Sequence, residues 1–171
     1  MDFFTEEGKS QWAVLAEEDP DYEHQAPDCK TMSRARGKPF YIGGKFHRGP
    51  PALRDERHVM GFPNLKGQDA VKVRQGNNMA HASIKRCEEL DDAGKYFSLE
   101  HPYRSFIWYM KATMELAARP NVRMAVFSNC CYGGRRAKWT AVLTNNVGIY
   151  EVLHKPECPH HGEDYQPYVA G

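Results

Sequence analysis

A chain of 171 residues with 41% hydrophobic and 12% aromatic content is long enough to bury one core. A mean hydropathy of -0.70 with 11 prolines leaves much of it in exposed loop. No run reaches the roughly 20 apolar residues of a membrane span, and Met1-Asp2-Phe3-Phe4-Thr5-Glu6-Glu7 lacks the basic and apolar regions of a signal peptide, so an intracellular protein is expected.

Residues 1–26 read as one or two short helices anchored by Phe3, Phe4, Trp12, Val14 and Leu15, ending at Glu18-Asp19-Pro20-Asp21. They belong to an acidic segment, 1–28, that carries nine acids and one base. The next stretch reverses the sign: residues 30–74 hold eleven Lys and Arg against three acids, although the net charge is only +1. Such sorting suggests a basic surface for a polyanion, nucleic acid being the usual one, while a solvated loop answered by the acidic segment fits the same numbers.

Pro27-Asp28-Cys29-Lys30-Thr31-Met32-Ser33-Arg34-Ala35-Arg36 opens the segment 29–67. A cysteine in a Pro/Asp turn, followed by Lys30, Arg34 and Arg36, reads as a nucleophile whose thiol the cations bring toward the thiolate. An ordinary loop cysteine is the alternative. From residue 34 to 67 no period of 2 or 3.6 is sustained, and Gly37, Pro39, Gly43-Gly44, Gly49-Pro50-Pro51, Gly61, Pro63 and Gly67 break the chain, so a long basic loop is expected.

The α/β core follows over 68–154. Asp69 is expected to cap a helix to about Leu90, with Val73, Met79, Ala80, Ile84 and Cys87 near one face, which makes Cys87 a core residue. Tyr96 to Leu99 reads as a buried strand that delivers Glu100-His101-Pro102, and residues 105–118 read as a helix stopped by Pro120. Residues 122–127 and 138–143 make two more strands, and 147–154 a short helix. Strand, helix, strand implies a parallel sheet with crossover helices, in which ligand sites gather beyond the carboxyl ends of the strands, near Glu100 and Asn129-Cys130.

Five cysteines, Cys29, Cys87, Cys130, Cys131 and Cys158, are irregularly spaced and do not form a disulfide framework, which fits a reducing compartment. Cys130, Cys131, Cys158 and His160, with His154 and His161 near them, have the residue types of a zinc site, although their spacing matches no standard finger and a metal-free tail over 155–171 fits equally.

The Cys loop, the basic loop, a helix, a strand ending in Glu100-His101-Pro102 and the run Gly133-Gly134-Arg135-Arg136 together resemble the catalytic half of DNA cytosine-5 methyltransferases. Asp28 stands where that family has a second proline, Met32 where it often has Phe, and His101-Pro102 where it has Asn-Val. A second similarity, to methyltransferase-like domains of viruses and mobile-element polyproteins, runs through Cys29 to Arg36, Gly49 to Asp55, Glu100 to Trp108, Cys131 to Gly134 and Lys138 to Asn145. The resemblance implies a Rossmann-like parallel sheet, Cys29 as nucleophile toward C6 of a flipped cytosine, Glu100 holding the edge of the base, and Arg135 or Arg136 supporting the loop. It also implies phosphate contacts from Lys30, Ser33, Arg34, Arg36, Lys38, Arg48, Arg54 and Arg57.

S-adenosylmethionine is the implied methyl donor. Its Gly-rich loop and acidic positions fall in that family on strands before the Cys loop, where only 28 residues stand here, so the fold is expected to be abbreviated at its N-terminus. A second chain completing the cofactor site, or a catalytically inactive nucleic-acid-binding module, follows from that shortfall. The whole is expected to be one domain, 1–171.

Overall fold

The computed structural model describes residues 19–134 and 138–155. Its strands are β1 (Tyr22–Gln25), β2 (Phe40–Ile42), β3 (Lys45–His47), β4 (Tyr96–Pro102), β5 (Arg123–Ser128) and β6 (Trp139–Thr144). Its α-helices are α1 (Gly67–Asp92), α2 (Lys111–Ala117) and α3 (Val147–Leu153), with 3-10 turns at Phe106–Tyr109 and Asn129–Tyr132.

The α/β class is as expected, but the sheet is mixed rather than parallel, in the order β1-β4-β6-β5. β1 pairs with β4 in parallel, whereas β6 runs antiparallel to both β4 and β5. The cause is chain length. Between β5 and β6 only residues 129–138 are available, a 3-10 turn among those described, and a parallel return needs a crossover of a dozen residues or more. β6 therefore folds straight back. The consequence for position is large: β1, β4 and β5 all run one way, so their carboxyl ends share one edge with the amino end of β6.

Several segments differ from their sequence pattern. Tyr22–Gln25 is a strand rather than the end of a helix, because it lies in register with Tyr96–Leu99, while residues 1–18 lie outside the described residues. The helix expected over 105–118 is divided at Met110, whose extended backbone (φ -69°, ψ 137°) sends its side chain into the core. Within the stretch read as loop, β2 and β3 form a hairpin around Gly43 and Gly44, both at positive φ, as a two-residue turn of matching twist requires. α1 starts at Gly67, and Asp69 lies in its first turn rather than at its cap, facing the positive end of the helix dipole.

One face of α1 supplies Ala80, Ile84, Cys87 and Leu90 to a core shared with Phe97, Leu99, Ile107, Met110, Leu116, Val122 and Leu143. Cys87 is fully buried there, as its spacing predicts, and burial raises its thiol pKa well above the ordinary range. Arg86 on α1 pairs with Glu23 on β1, both largely buried, which fixes the edge strand to the helix.

The Cys loop is pinned from two sides. Met32 is fully buried, and its carbonyl accepts from the Phe106 amide (3.0 Å) and the Ser105 hydroxyl (3.2 Å). Thr31 Oγ1 accepts from Arg54 Nη2 at 2.9 Å, and Arg54 Nη1 donates to the Val59 carbonyl (2.7 Å) and to Asn77 Oδ1 on α1 (2.8 Å). Gly76 makes room for this: a Cβ there would lie 2.5 Å from Thr31 Oγ1. A mid-helix glycine normally costs about 1 kcal/mol against alanine, so Gly76→Ala would be stabilising on an open helix face. Here it should lower stability by about 1–2 kcal/mol, roughly 3–8 °C in Tm, because Thr31 is held by Arg54 and cannot retreat. Thermal unfolding of the two proteins checks this; an unchanged or raised Tm would contradict the packing described.

Candidate functional site

Because the strand ends share one edge, residues distant in sequence meet there. Cys29 lies four positions past the end of β1, Glu100 and His101 lie in the last half of β4, and Lys138 immediately precedes β6. Lys138 Nζ is 3.9 Å from Glu100 Oε1. The Asn129 amide donates to the Lys138 carbonyl (3.0 Å) and Thr140 Oγ1 donates to Asn129 Oδ1 (3.1 Å), which holds the start of β6 against the end of β5.

Cys29 is half-buried in a turn whose shape comes from its own carbonyl, which accepts from the Met32 (3.0 Å) and Ser33 (2.8 Å) amides. Asp28 closes the other side, its carboxylate accepting from the Lys30 amide at 2.9 Å. The expectation that the loop cations draw this thiol toward the thiolate is not met. Burial, and then the Asp28 carboxylate, raise the Cys29 pKa above the ordinary thiol range, and Glu100 adds to the rise while Lys138 opposes it. The loop cations are engaged elsewhere: Lys30 with Asp28 (3.6 Å), Arg34 with Glu56 (2.8 Å), Arg36 with Asp69 (3.6 Å) and with the Pro51 carbonyl (2.9 Å). Cys29 should therefore react slowly with iodoacetamide at pH 7.5 and rapidly only at clearly alkaline pH; Asp28→Asn should speed the reaction and Lys138→Met should slow it. Peptide mapping of the alkylated protein reads this, and full modification of Cys29 within minutes at neutral pH would contradict it.

His101 is 1% exposed, and neither ring nitrogen has a hydrogen-bond partner, although the Asp28 backbone faces the ring and favours its proton. Trp108 packs edge-on against it at 6.3 Å. Burial, with a smaller contribution from Lys138, pushes the His101 pKa down to about 4. The unfolded chain protonates near pH 6.5, so the stability given by the neutral ring is complete above about pH 6.5 and is lost as pH falls toward 4, by about 3 kcal/mol in all. Urea unfolding from pH 7 to 4 should show that decline in the wild type and much less of it in His101→Asn. Parallel pH profiles for the two would contradict the assignment.

Further along the Cys loop, a cleft of about 370 Å³ is lined by Thr31, Ser33, Arg34, Arg36, Lys38 and Arg104, together with Arg54 and Phe106. Arg34 lies over the Phe106 ring at 4.8 Å and donates to the Arg104 carbonyl at 3.0 Å, so its position is set by stacking as well as charge. Five of the eight residues expected to meet phosphate, Ser33, Arg34, Arg36, Lys38 and Arg54, thus converge on one cleft. Arg54 differs from the others in being 2% exposed with both terminal nitrogens committed, so it supports the cleft from within. Lys30, Arg48 and Arg57 are exposed but do not line it.

Arg135 and Arg136, expected to support the loop, lie outside the described residues, as do Cys158, His160 and His161 of the expected zinc set. Among the described residues no three His, Cys, Asp or Glu side chains gather as metal ligands. Cys130 Sγ sits 3.0 Å from Ser128 Oγ, and His154 Nδ1 faces the Val126 amide at 3.2 Å. For S-adenosylmethionine, β1 is the edge of the sheet and runs directly into the Cys loop with no glycine between them, so the described residues place no Gly-rich turn ahead of that loop.

Lys138, His101 and Arg104 were not singled out by residue pattern. Lys138 stands in the quoted run Lys138 to Asn145, but its partnership with Glu100 depends on β6 turning back, which no local pattern encodes. Compared with family models, with curated proteins and with solved structures, this chain finds no match.

Proposed function

We propose that this chain is a DNA cytosine-5 methyltransferase-like protein that holds nucleic acid in the basic cleft and presents Cys29 and Glu100 to an extruded cytosine. The observation that carries the reading is the meeting of Cys29, Glu100 and Lys138 at one sheet edge, with the same Cys loop going on through Thr31 and Ser33 to line a cleft with Arg34, Arg36, Lys38 and Arg104. Phosphates in the cleft would set the register of the strand. A base turned toward the sheet edge would meet Glu100 along its N3 and amino side, with Lys138 holding that carboxylate in place.

The chemistry is confined to what these side chains do. Cys29 gives its proton to solvent and its sulfur bonds to C6; the electron pair of the C5–C6 double bond moves into the ring, where the groups around N3 stabilise it. C5 then takes a proton from water. Loss of the original C5 hydrogen as a proton, with departure of the thiolate from C6, restores cytosine. The raised thiol pKa gives the first step a low resting rate, with activation coming from the bound ligand. S-adenosylmethionine would supply a methyl group to C5 in place of the proton, and a second chain adding strands at β1 would be the source of its site.

The same step can be read without a methyl donor. DNA carrying tritium at cytosine C5 should release it to water in the presence of this chain, and Cys29→Ser should abolish the release. No release by the wild type, with Cys29→Ser behaving identically, would overturn the enzymatic reading. The raised Cys29 pKa favours one alternative, a catalytically inactive nucleic-acid-binding module of a viral or mobile-element system, which that result would leave standing.

Binding is tested separately. Affinity for DNA should fall with salt by roughly 0.9 in log-log slope per phosphate held, and charge reversal at Arg34, Arg36 and Lys38 together should flatten the slope by about 2–3. An absent or salt-insensitive interaction would remove both readings.

A further inference from the structure

The β2–β3 hairpin stands out from the rest of the surface. Its turn is Gly43-Gly44 and its ladder pairs Phe40 with His47, Tyr41 with Phe46 and Ile42 with Lys45. Opposed residues of an antiparallel pair share a face, so Tyr41 and Phe46 form one face and Phe40, His47, Ile42 and Lys45 the other. Neither face is covered: Tyr41 is 63%, Ile42 59% and Phe46 57% exposed. A lone two-stranded ribbon is barely stable in water, and one carrying bare aromatic side chains on a surface is a contact site awaiting a partner.

The ribbon is nonetheless held in a set direction. Arg36 Nε donates to the Pro51 carbonyl at 2.9 Å across its base, and the backbone at Gly49 comes so close to Lys38 that a Cβ would lie 2.2 Å from the Lys38 carbonyl oxygen. The Phe40 and His47 rings stack 5.4 Å apart, while Tyr41 and Phe46 meet edge to face at 5.5 Å, which leaves ring surface open to a third planar group.

Charge identifies the partner. From residue 29 to residue 54 there is no Asp or Glu, and Lys38, Lys45 and Arg48 flank the rings. A polyanion whose units also carry flat π faces satisfies both features. Lys38 belongs at once to the base of the hairpin and to the 370 Å³ cleft, so the two surfaces are continuous, and a concave cleft suits a strand better than a flat lipid headgroup layer.

We propose that the hairpin is a base-stacking finger: Tyr41 and Phe46 take unpaired bases of a nucleic acid strand whose phosphates lie in the adjoining cleft. The inference rests on the nucleic-acid reading above and adds to it a preference for single-stranded or opened nucleic acid. Stacking on an aromatic ring is tolerant of base identity, so little sequence preference is expected from this element.

Fluorescence anisotropy with a labelled 20-nucleotide single strand and with the same sequence as a closed duplex tests it. The wild type should bind the single strand more tightly than the duplex. Tyr41→Ala with Phe46→Ala should weaken single-strand binding by about ten-fold or more, with the salt slope unchanged and little loss on duplex. Both side chains are exposed, so Tm should be unaffected; should it fall, quenching of 2-aminopurine in the strand by the wild-type protein reads the stacking directly.

Wild-type binding that the double variant leaves intact, with no 2-aminopurine quenching, would overturn the finger and spare the nucleic-acid reading. An equal loss on duplex would also overturn the base-stacking role. Absence of any binding by the wild type would overturn both readings. Tight binding instead to phosphatidylserine vesicles, lost in the same variant, would replace the nucleic acid with a membrane surface.

Discussion

Arg54 is a buried guanidinium met only by neutral acceptors among the described residues, and the position of the Cys loop depends on it. Burial brings its pKa down to about 10, yet it stays charged at neutral pH and spreads its donors over Thr31, the Val59 carbonyl and Asn77. A buried charge without its partners is expensive, so each acceptor is held as firmly as the arginine itself. Thr31 on the Cys loop, the loop at Val59 and helix α1 become one body at this point. Gly76 contributes by its lack of a side chain, which lets the loop lie directly on the helix.

With the loop fixed there, the sheet does the rest. Three strands end, and one begins, along the edge that carries Cys29, Glu100 and Lys138. Burial first, and then the Asp28 carboxylate, raise the thiol pKa against the opposing charge of Lys138, and the balance at rest favours the protonated form. A cysteine held as a thiol in this way is slow to be oxidised or alkylated. The buried, unpartnered ring of His101 beneath the loop makes the same edge sensitive to acid.

Much of this was legible in the sequence, and the failures have physical reasons. Helix α1 and strands β4, β5 and β6 follow their apolar patterns because burial on a 3.6 or 2 period leaves a local trace. Strand direction leaves none, so the strand, helix, strand order implies a parallel sheet although residues 129–138 are too few to cross over. The break at Met110 needs no Pro or Gly and is set by the core that receives its side chain. The hairpin was readable from Gly43-Gly44 between short aromatic runs, but three-residue strands are too brief to show a period. Residue types singled out Cys29, Glu100 and a cluster of cations, which the fold gathers at the strand ends and along the Cys loop. They could not reveal that Arg54 turns inward, that Arg34 and Arg36 are paired with Glu56 and Asp69, or that Lys138 arrives from the far end of the chain.

The central claim is that nucleic acid occupies one continuous surface made of the Cys loop, the basic cleft and the end of β4. Amide hydrogen exchange of the full chain, alone and with a saturating oligonucleotide, tests it most directly. The account predicts added protection over residues 29–48 and 100–106, with α3 and the outer edge of β1 unchanged. Protection confined to α3 or to β1, with residues 29–48 exchanging as in the unbound protein, would contradict it.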